Sequence, residues 1–410
     1  MQCMKWLCCL IVAGWLLPAQ AVVSTLVADT KSGFILESQN ATVQQPPASL
    51  TKLMTLYLLF GALNNGVVRM DDPLLISENA AAQPKSNLGL VPGETITVRE
   101  ALLALIIKSA NDVAVVIAEA LGQDESRFAD MMTQTAKGIG LRDTIFKNAS
   151  GLHIKGQVST ARDMAILTMA LISHYPQYYA LFATPSFTYK GQTYHSHNVV
   201  LQQYEGAEGL KTGFVSAVGY NIISTAKQND SRLVSIVIGE TSPLKRDLRA
   251  MRLLDKGFRQ VAIQKKAQEG GRLNGAFNPL NRRAFISKPP IATFLPTMKA
   301  CVAMGRKKAN KIVKNKQVAK IYTARDVVLE QGDQWSIQVG AFEGKDKARR
   351  IAEEAMEMLG INNKTVQTPK ADDRYFRSRI QGFSKNEATD ACRQLKDAKW
   401  QCFTVAPHQG

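Results

Sequence analysis

Between residues 265 and 325 the chain carries 15 lysines and arginines against one acid, Glu269, and no other stretch constrains the fold as strongly. That segment holds +14 of a net charge of +17, whereas residues 22–264 carry 22 basic and 20 acidic residues and residues 333–410 carry 13 and 11. Unpaired cations are expensive to bury, so this middle stretch, punctuated by Gly270-Gly271, Pro279, Pro289-Pro290 and Pro296, reads as a linker over 265–332. The chain then divides into a larger unit at 22–264 and a smaller one at 333–407. With 45% hydrophobic and 21% charged residues over 410 positions, it has globular composition and the length for two or three domains. As a linker the basic stretch would be a solvated tether; the sharper alternative for 265–325 is electrostatic contact with anionic lipid or cell-wall polymer.

Residues 1–21 have the form of a signal peptide: Lys5, an apolar run from Trp6 to Leu17, and Ala19-Gln20-Ala21 as a small-x-small cleavage site. That run is too short to span a bilayer, which takes roughly 18 residues, so a soluble exported chain starting near Val22 is expected. Cys8 and Cys9 lie inside the run without the small residue that precedes a lipidated cysteine, which argues against a lipid anchor. Export also disfavours nucleic acid, the partner that the net charge would otherwise suggest. It leaves Cys301, Cys392 and Cys402 in a compartment where disulfides form. Cys392 and Cys402 fall on a predicted helix and the strand after it, so they are expected to pair and leave Cys301 free. No Cys-x-x-Cys or histidine cluster asks for a metal, and no cofactor is implied.

Three short polar motifs interrupt the first unit. Pro46-Pro47-Ala48 leads into Ser49-Leu50-Thr51-Lys52 and then a largely apolar stretch, Leu53–Phe60, which reads as a helix starting near Ser49. Positions i and i+3 share a helix face, so the Lys52 amine can reach the Ser49 hydroxyl. A serine holds almost no alkoxide at neutral pH, but a lysine desolvated among apolar side chains loses its proton readily enough to act as base. The helix start adds N–H groups where an oxyanion would form. The same spacing recurs at Ser224–Lys227, in a strand-like stretch where i and i+3 point to opposite faces, and at Ser242–Lys245, in a turn, so only Ser49 has the geometry. The second motif, Ser109-Ala110-Asn111, is either a helix corner with capping side chains or a hydroxyl and an amide projecting into a cleft. The third, Lys211-Thr212-Gly213, precedes a strand-like Tyr220–Ala226. Alone it is an ordinary hairpin start, yet lysine and threonine on a strand edge can hold a carboxylate beside a glycine that admits a substrate backbone.

Taken in this order, Ser-x-x-Lys, Ser-x-Asn and Lys-Thr-Gly resemble the penicillin-binding protein and serine β-lactamase set. The surrounding text, with Lys108-Ser109-Ala110-Asn111-Asp112, Asn148-Ala149-Ser150-Gly151-Leu152, Ser159-Thr160-Ala161-Arg162-Asp163 and Gly209-Leu210-Lys211-Thr212-Gly213, resembles the low-molecular-weight D-alanyl-D-alanine carboxypeptidases. The resemblance covers about residues 22–260 and implies an α/β (α+β) fold: a helical cluster on a five-stranded antiparallel sheet. It implies Ser49 as the acyl-forming nucleophile, Lys52 as its base, and Ser109 and Asn111 as proton relay and backbone holder. It further implies Lys211 and Thr212 on the terminal carboxylate, with Gly213 beside them, and the N–H groups of Ser49 and Phe214 as oxyanion hole. Substrate would be a peptidoglycan stem peptide ending in D-Ala-D-Ala, with β-lactams as covalent inhibitors. A class A β-lactamase would need a deacylating glutamate, and none lies between Glu125 and Glu205, so slow release of β-lactam is expected. An endopeptidase acting on cross-links shares all three motifs and stays open. Among the histidines, His195 and His197 alternate along a strand-like stretch and read as surface or supporting residues.

The C-terminal unit reads β-α-β-β-α-β with an internal repeat: Trp335–Phe342 is echoed by Phe376–Phe383, each followed by a helical pattern, Lys345–Leu359 and Lys385–Ala398. Strand alternation puts Gln338, Arg377, Arg379 and Gln381 on the open face of the sheet. Gln-Val-Gly-Ala-Phe and Arg-Ile-Gln-Gly-Phe resemble a SPOR domain, which implies binding to glycan strands stripped of stem peptides, as at a division septum. The two resemblances imply an exported, periplasmic carboxypeptidase, peripheral at most to the membrane and enriched at the septum. The alternative is chiefly a septal peptidoglycan-binding protein with a degenerate enzyme attached.

Overall fold

The computed structural model describes residues 22–269, 280, 289–323, 335–361, 364–370, 375–383, 385–398 and 400–405. The expected signal peptide at 1–21 lies outside them. The chain divides into two units, Met1–Asn315 and Lys316–Gly410.

In the first unit, β1 (Ser24–Asp29) and β2 (Ile35–Gln39) form a hairpin that joins three late strands, β3 (Ala207–Val215), β4 (Gly219–Gln228) and β5 (Ser231–Glu240). The order is β2-β1-β5-β4-β3, antiparallel throughout. β4 and β5 are rich in Ile, Val and Thr and buried on both faces, because helices cover both sides of the sheet. Alternation sorts their side chains. Val27, Ile222, Leu233 and Val237 pack with Ala250, Leu253 and Leu254 of α5 (Pro243–Glu269), while Leu26, Ile223, Val234 and Ile236 join the core of the helical cluster. That cluster contains α1 (Lys52–Asn64), α2 (Asn111–Gly122), α3 (Glu125–Gly138) and α4 (Ala161–His174). From Lys52 to Leu63 every residue of α1 is buried, the mark of a helix surrounded by protein. The lone cation at its start therefore sits in a low-dielectric interior.

The expected linker at 265–332 is corrected in its middle. α5 runs past residue 264 to Glu269, residues Pro290–Phe294 form a 3₁₀ turn, and α6 covers Leu295–Thr323. Leu280, Ile291, Met298 and Val302 belong to the same core as α1. Two glycines make the seat: a Cβ on Gly61 would lie 2.1 Å from Ile291 Cδ1, and one on Gly138 would lie 2.8 Å from Pro290 Cβ. The net charge concealed this packing because Met298, Cys301, Val302 and Ala309 form one buried helical stripe, while Lys299, Arg306, Lys307 and Lys308 stay exposed and Arg306 pairs with Asp72. Residues 270–279, 281–288 and 324–334 of the expected linker lie outside the described residues.

The second unit has β6 (Trp335–Glu343), α7 (Lys345–Met358), β7 (Thr365–Gln367), β8 (Tyr375–Phe383), α8 (Lys385–Asp397) and β9 (Phe403–Val405). Its four-stranded antiparallel sheet runs β7-β8-β6-β9. Ile337, Val339, Ile380 and Phe383 share a core with Ala352, Ala355, Ala388 and Leu395 of the helices. Gln338, between Ile337 and Val339, and Arg379, next to Ile380, stand opposite one another, Arg379 Nε donating to Gln338 Oε1 at 3.1 Å. Arg379 is buried, whereas Arg377 and Gln381 are half-buried. A disulfide joins Cys392 to Cys402, with Cα atoms 5.2 Å apart, and Cys301 is a buried free thiol.

Candidate active site

Ser49 stands in a 3₁₀ turn, Ala48–Thr51, that runs directly into α1, so the regular helix begins only at Lys52. Lys52 Nζ lies 3.3 Å from Ser49 Oγ, 2.7 Å from Asn111 Oδ1 and 2.6 Å from Ser150 O. Burial drives its pKa well below that of an ordinary lysine and Lys211 adds repulsion, against a weaker pull from Asp112 and Glu125. A neutral amine has two hydrogens and one lone pair. With Asn111 Oδ1 and Ser150 O accepting the hydrogens, the lone pair is left for the Ser49 hydroxyl proton.

The Ser-Ala-Asn motif separates a π turn, Ala104–Lys108, from α2. Ser109 has φ 60° and ψ 38°, left-handed backbone that a non-glycine residue adopts only where its surroundings enforce it. Among the described residues its Oγ is buried without a hydrogen-bond partner, and no side chain caps α2. The corner with capping side chains is therefore not what forms. The Asn111 N–H donates to Ser86 O at 2.7 Å and its Nδ2 to Pro84 O at 3.0 Å; Asp112 Oδ2 accepts from the N–H of Leu88. Residues 84–90 are thereby tied to the start of α2.

β3 is an edge strand of the sheet, and its backbone passes directly beside Ser49. A Cβ on Gly213 would lie 3.1 Å from Ser49 N, so this glycine leaves room for the protein's own 3₁₀ turn. Lys211 is buried, with Nζ donating to Thr212 O at 2.9 Å. Burial, with Arg246 second, pushes its pKa down to about 7. Ser49, Ser109, Asn111, Thr212, Gly213 and Phe214 line one open cleft of about 540 Å³. Phe214 is 54% exposed, its ring 4.5 Å from that of Tyr220.

Several residues of the cleft carried no assignment in the sequence. Ser150 contributes a backbone carbonyl, which side-chain chemistry does not advertise. Gly151 has φ +84°, and a Cβ there would fall 1.9 Å from Ala48 O, so the loop can close on the Ser49 turn only with glycine. Glu125 accepts the Ala149 N–H at 3.0 Å and steadies the same loop. Arg246, from the start of α5, lines the cleft and is doubly bonded to Asp247, at 2.8 Å and 3.0 Å. Lys85, Lys108, His153 and His197 also line it. His195 stays in an exposed hairpin. Burial first, then Lys108 and Lys211, lowers the pKa of His197.

Fold and geometry together set a serine hydroxyl that lines an open cleft 3.3 Å from a fully buried lysine amine. A model of the D-alanyl-D-alanine carboxypeptidase family matches residues 17–242, and a SPOR domain model matches residues 331–406. The chain belongs to the D-alanyl-D-alanine carboxypeptidase family and carries a C-terminal SPOR domain. It is similar to D-alanyl-D-alanine carboxypeptidase DacC of Escherichia coli, 34% identical over 241 residues, 57% of this chain and 60% of that one. It thus spans somewhat under two thirds of that relative's length. Among solved structures, penicillin binding protein 5 of Haemophilus influenzae superposes with a TM-score of 0.57 at 31% identity, covering 60% of this chain and 73% of that one. Penicillin-Binding Protein D2 of Listeria monocytogenes, in its ampicillin-bound form, gives 0.51 at 33% identity, over 57% of this chain and 96% of its own.

Proposed function

We propose that this protein is a serine D-alanyl-D-alanine carboxypeptidase that removes the terminal D-Ala of peptidoglycan stem peptides through an acyl-enzyme on Ser49. The observation that carries the reading is the fully buried Lys52 amine, 3.3 Å from Ser49 Oγ and held by two further acceptors. Lys52 takes the hydroxyl proton as Ser49 Oγ bonds to the carbonyl carbon of the penultimate D-Ala. The N–H groups of Ser49 and Phe214 hold the oxyanion, and Lys211 and Thr212 hold the terminal carboxylate. Ser109, whose hydroxyl has no partner among the described residues, relays the proton taken up by Lys52 to the departing amine, and water then releases the shortened peptide. β-Lactams acylate the same oxygen.

The SPOR domain places the enzyme on denuded glycan in the periplasm, at the septum, through Gln338, Arg377, Arg379 and Gln381. Retention of the protein on amidase-treated sacculi, lost when both arginines are replaced by alanine, tests that part. For the chemistry, the mature protein is incubated with a synthetic pentapeptide ending in D-Ala-D-Ala and released D-Ala is followed by mass spectrometry, with Ser49→Ala alongside. Release in the wild type and none in the variant is expected. Residual release, or labelling of the variant by a fluorescent penicillin, would refute the role of Ser49. Labelling of the wild type without release would redirect the reading to cross-link endopeptidase action.

A further inference from the structure

We infer that one wall of the cleft is a second carboxylate subsite, in which Lys85 and Lys108 select stem peptides bearing a free side-chain carboxylate on the acyl side of the scissile bond. The inference rests on the carboxypeptidase reading and extends it from the terminal carboxylate to the body of the peptide. Lys85, Lys108 and Arg246 all line the cleft, and among the described residues no Asp or Glu does. The cations differ in what surrounds them. Arg246 is matched by Asp247 and Lys211 donates to Thr212 O, an end suited to a single carboxylate. Lys85 and Lys108 form no ion pair among the described residues. Lys85 is exposed and Lys108 half-buried, its Nζ 5.5 Å from the centre of the Tyr194 ring.

Their backbones are fixed although their amines are not. Ser86 Oγ donates to Lys108 O at 2.9 Å, while Ser86 O and Pro84 O, on either side of Lys85, accept from Asn111. Both lysines are therefore tied to Asn111, the residue proposed to hold the peptide backbone. The Lys108 charge also acts on His197, which lines the same cleft. Two ammonium groups with no ion-pair partner among the described residues, on the wall of a cleft, favour an anion there and disfavour its neutral analogue.

The test uses two pentapeptides ending in D-Ala-D-Ala that differ in one group, a carboxylate or a carboxamide at the end of the third residue's side chain. Their binding to the full mature Ser49→Ala chain is measured by calorimetry, where no turnover intervenes. The carboxylate peptide should bind roughly five- to tenfold tighter at low ionic strength, with the ratio shrinking as salt is added. The Lys85→Gln/Lys108→Gln double variant should bring the ratio to within about twofold of unity, and Lys85→Arg/Lys108→Arg should preserve most of it. Equal binding by the parent chain, or a preference unchanged by the glutamine pair, overturns the subsite. D-Ala release by the Ser49 enzyme is followed separately on both peptides. Release from neither, with the binding preference intact, would remove the carboxypeptidase reading and leave the subsite standing.

Discussion

Replacing Ile291 by alanine tests whether the basic segment is a working part of the first unit. The side chain is 1% exposed and packs on α1 at Gly61. The substitution removes three buried carbons, roughly 2.4 kcal/mol at about 0.8 kcal/mol each, and leaves a cavity, for a total of about 3 kcal/mol. For a unit of this size that is a fall in Tm of roughly 6–12 °C, read by calorimetry on the mature protein. Gly61→Ala alone should also destabilise, by about 1–3 kcal/mol, since its new Cβ would meet Ile291 Cδ1 at 2.1 Å and the Tyr175 hydroxyl at 2.8 Å. Combined with Ile291→Ala the chief clash disappears and the helix gains alanine, so the double variant should be at least about 1 kcal/mol more stable than the sum of the two costs. A Tm within about 2 °C of the parent for Ile291→Ala, or strict additivity, would refute the seating of this segment on α1.

The lowered pKa values of Lys52 and Lys211 act in opposite directions on rate. Lys52 must be neutral to accept a proton, so kcat should rise with pH through the value of the bound enzyme, while carboxylate binding needs Lys211 charged, so KM should rise above about pH 7. A stopped-flow pH profile should therefore show a bell in kcat/KM; a flat basic limb would count against Lys211. Gly151→Ala places a Cβ against Ala48 O at a left-handed backbone, and should cost at least about 2 kcal/mol while lowering penicillin acylation of Ser49 more than tenfold. Reduction of Cys392–Cys402, which closes a short loop, should destabilise the SPOR unit by about 2–4 kcal/mol, seen as an earlier calorimetric transition with that of the first unit unmoved.

What the sequence made legible was local chemistry. Ser49 and Lys52 could be paired because three residues along a helical turn bring side chains to one face, and Gln338 and Arg379 because alternation puts every second residue on one side of a strand. Both relations depend only on backbone periodicity. The 41-residue offset of the repeat likewise aligned two βαβ halves before any contact was known, and in the sheet Gln338 faces Arg379. Charge counting was the weaker instrument. It registered the lysines of 289–309 and missed the apolar stripe running between them, since net charge has no periodicity.

The sequence by itself determined the order of the motifs, the amphipathic periodicities and the neighbour of Ser49, all set by a few covalent bonds of separation. Tertiary structure alone decided the chemistry of that neighbour. The pKa of Lys52 is lowered because α1 is enclosed on every side, and Asn111 and Ser150, distant in the chain, accept its hydrogens. Only the fold brought Gly151 and Gly213 against the turn of Ser49, turned Ser109 into a left-handed conformation, and gathered Lys85, Lys108 and Arg246 around one cleft. Burial and long-range proximity are properties of packing, and packing is a relation among segments that no single segment contains.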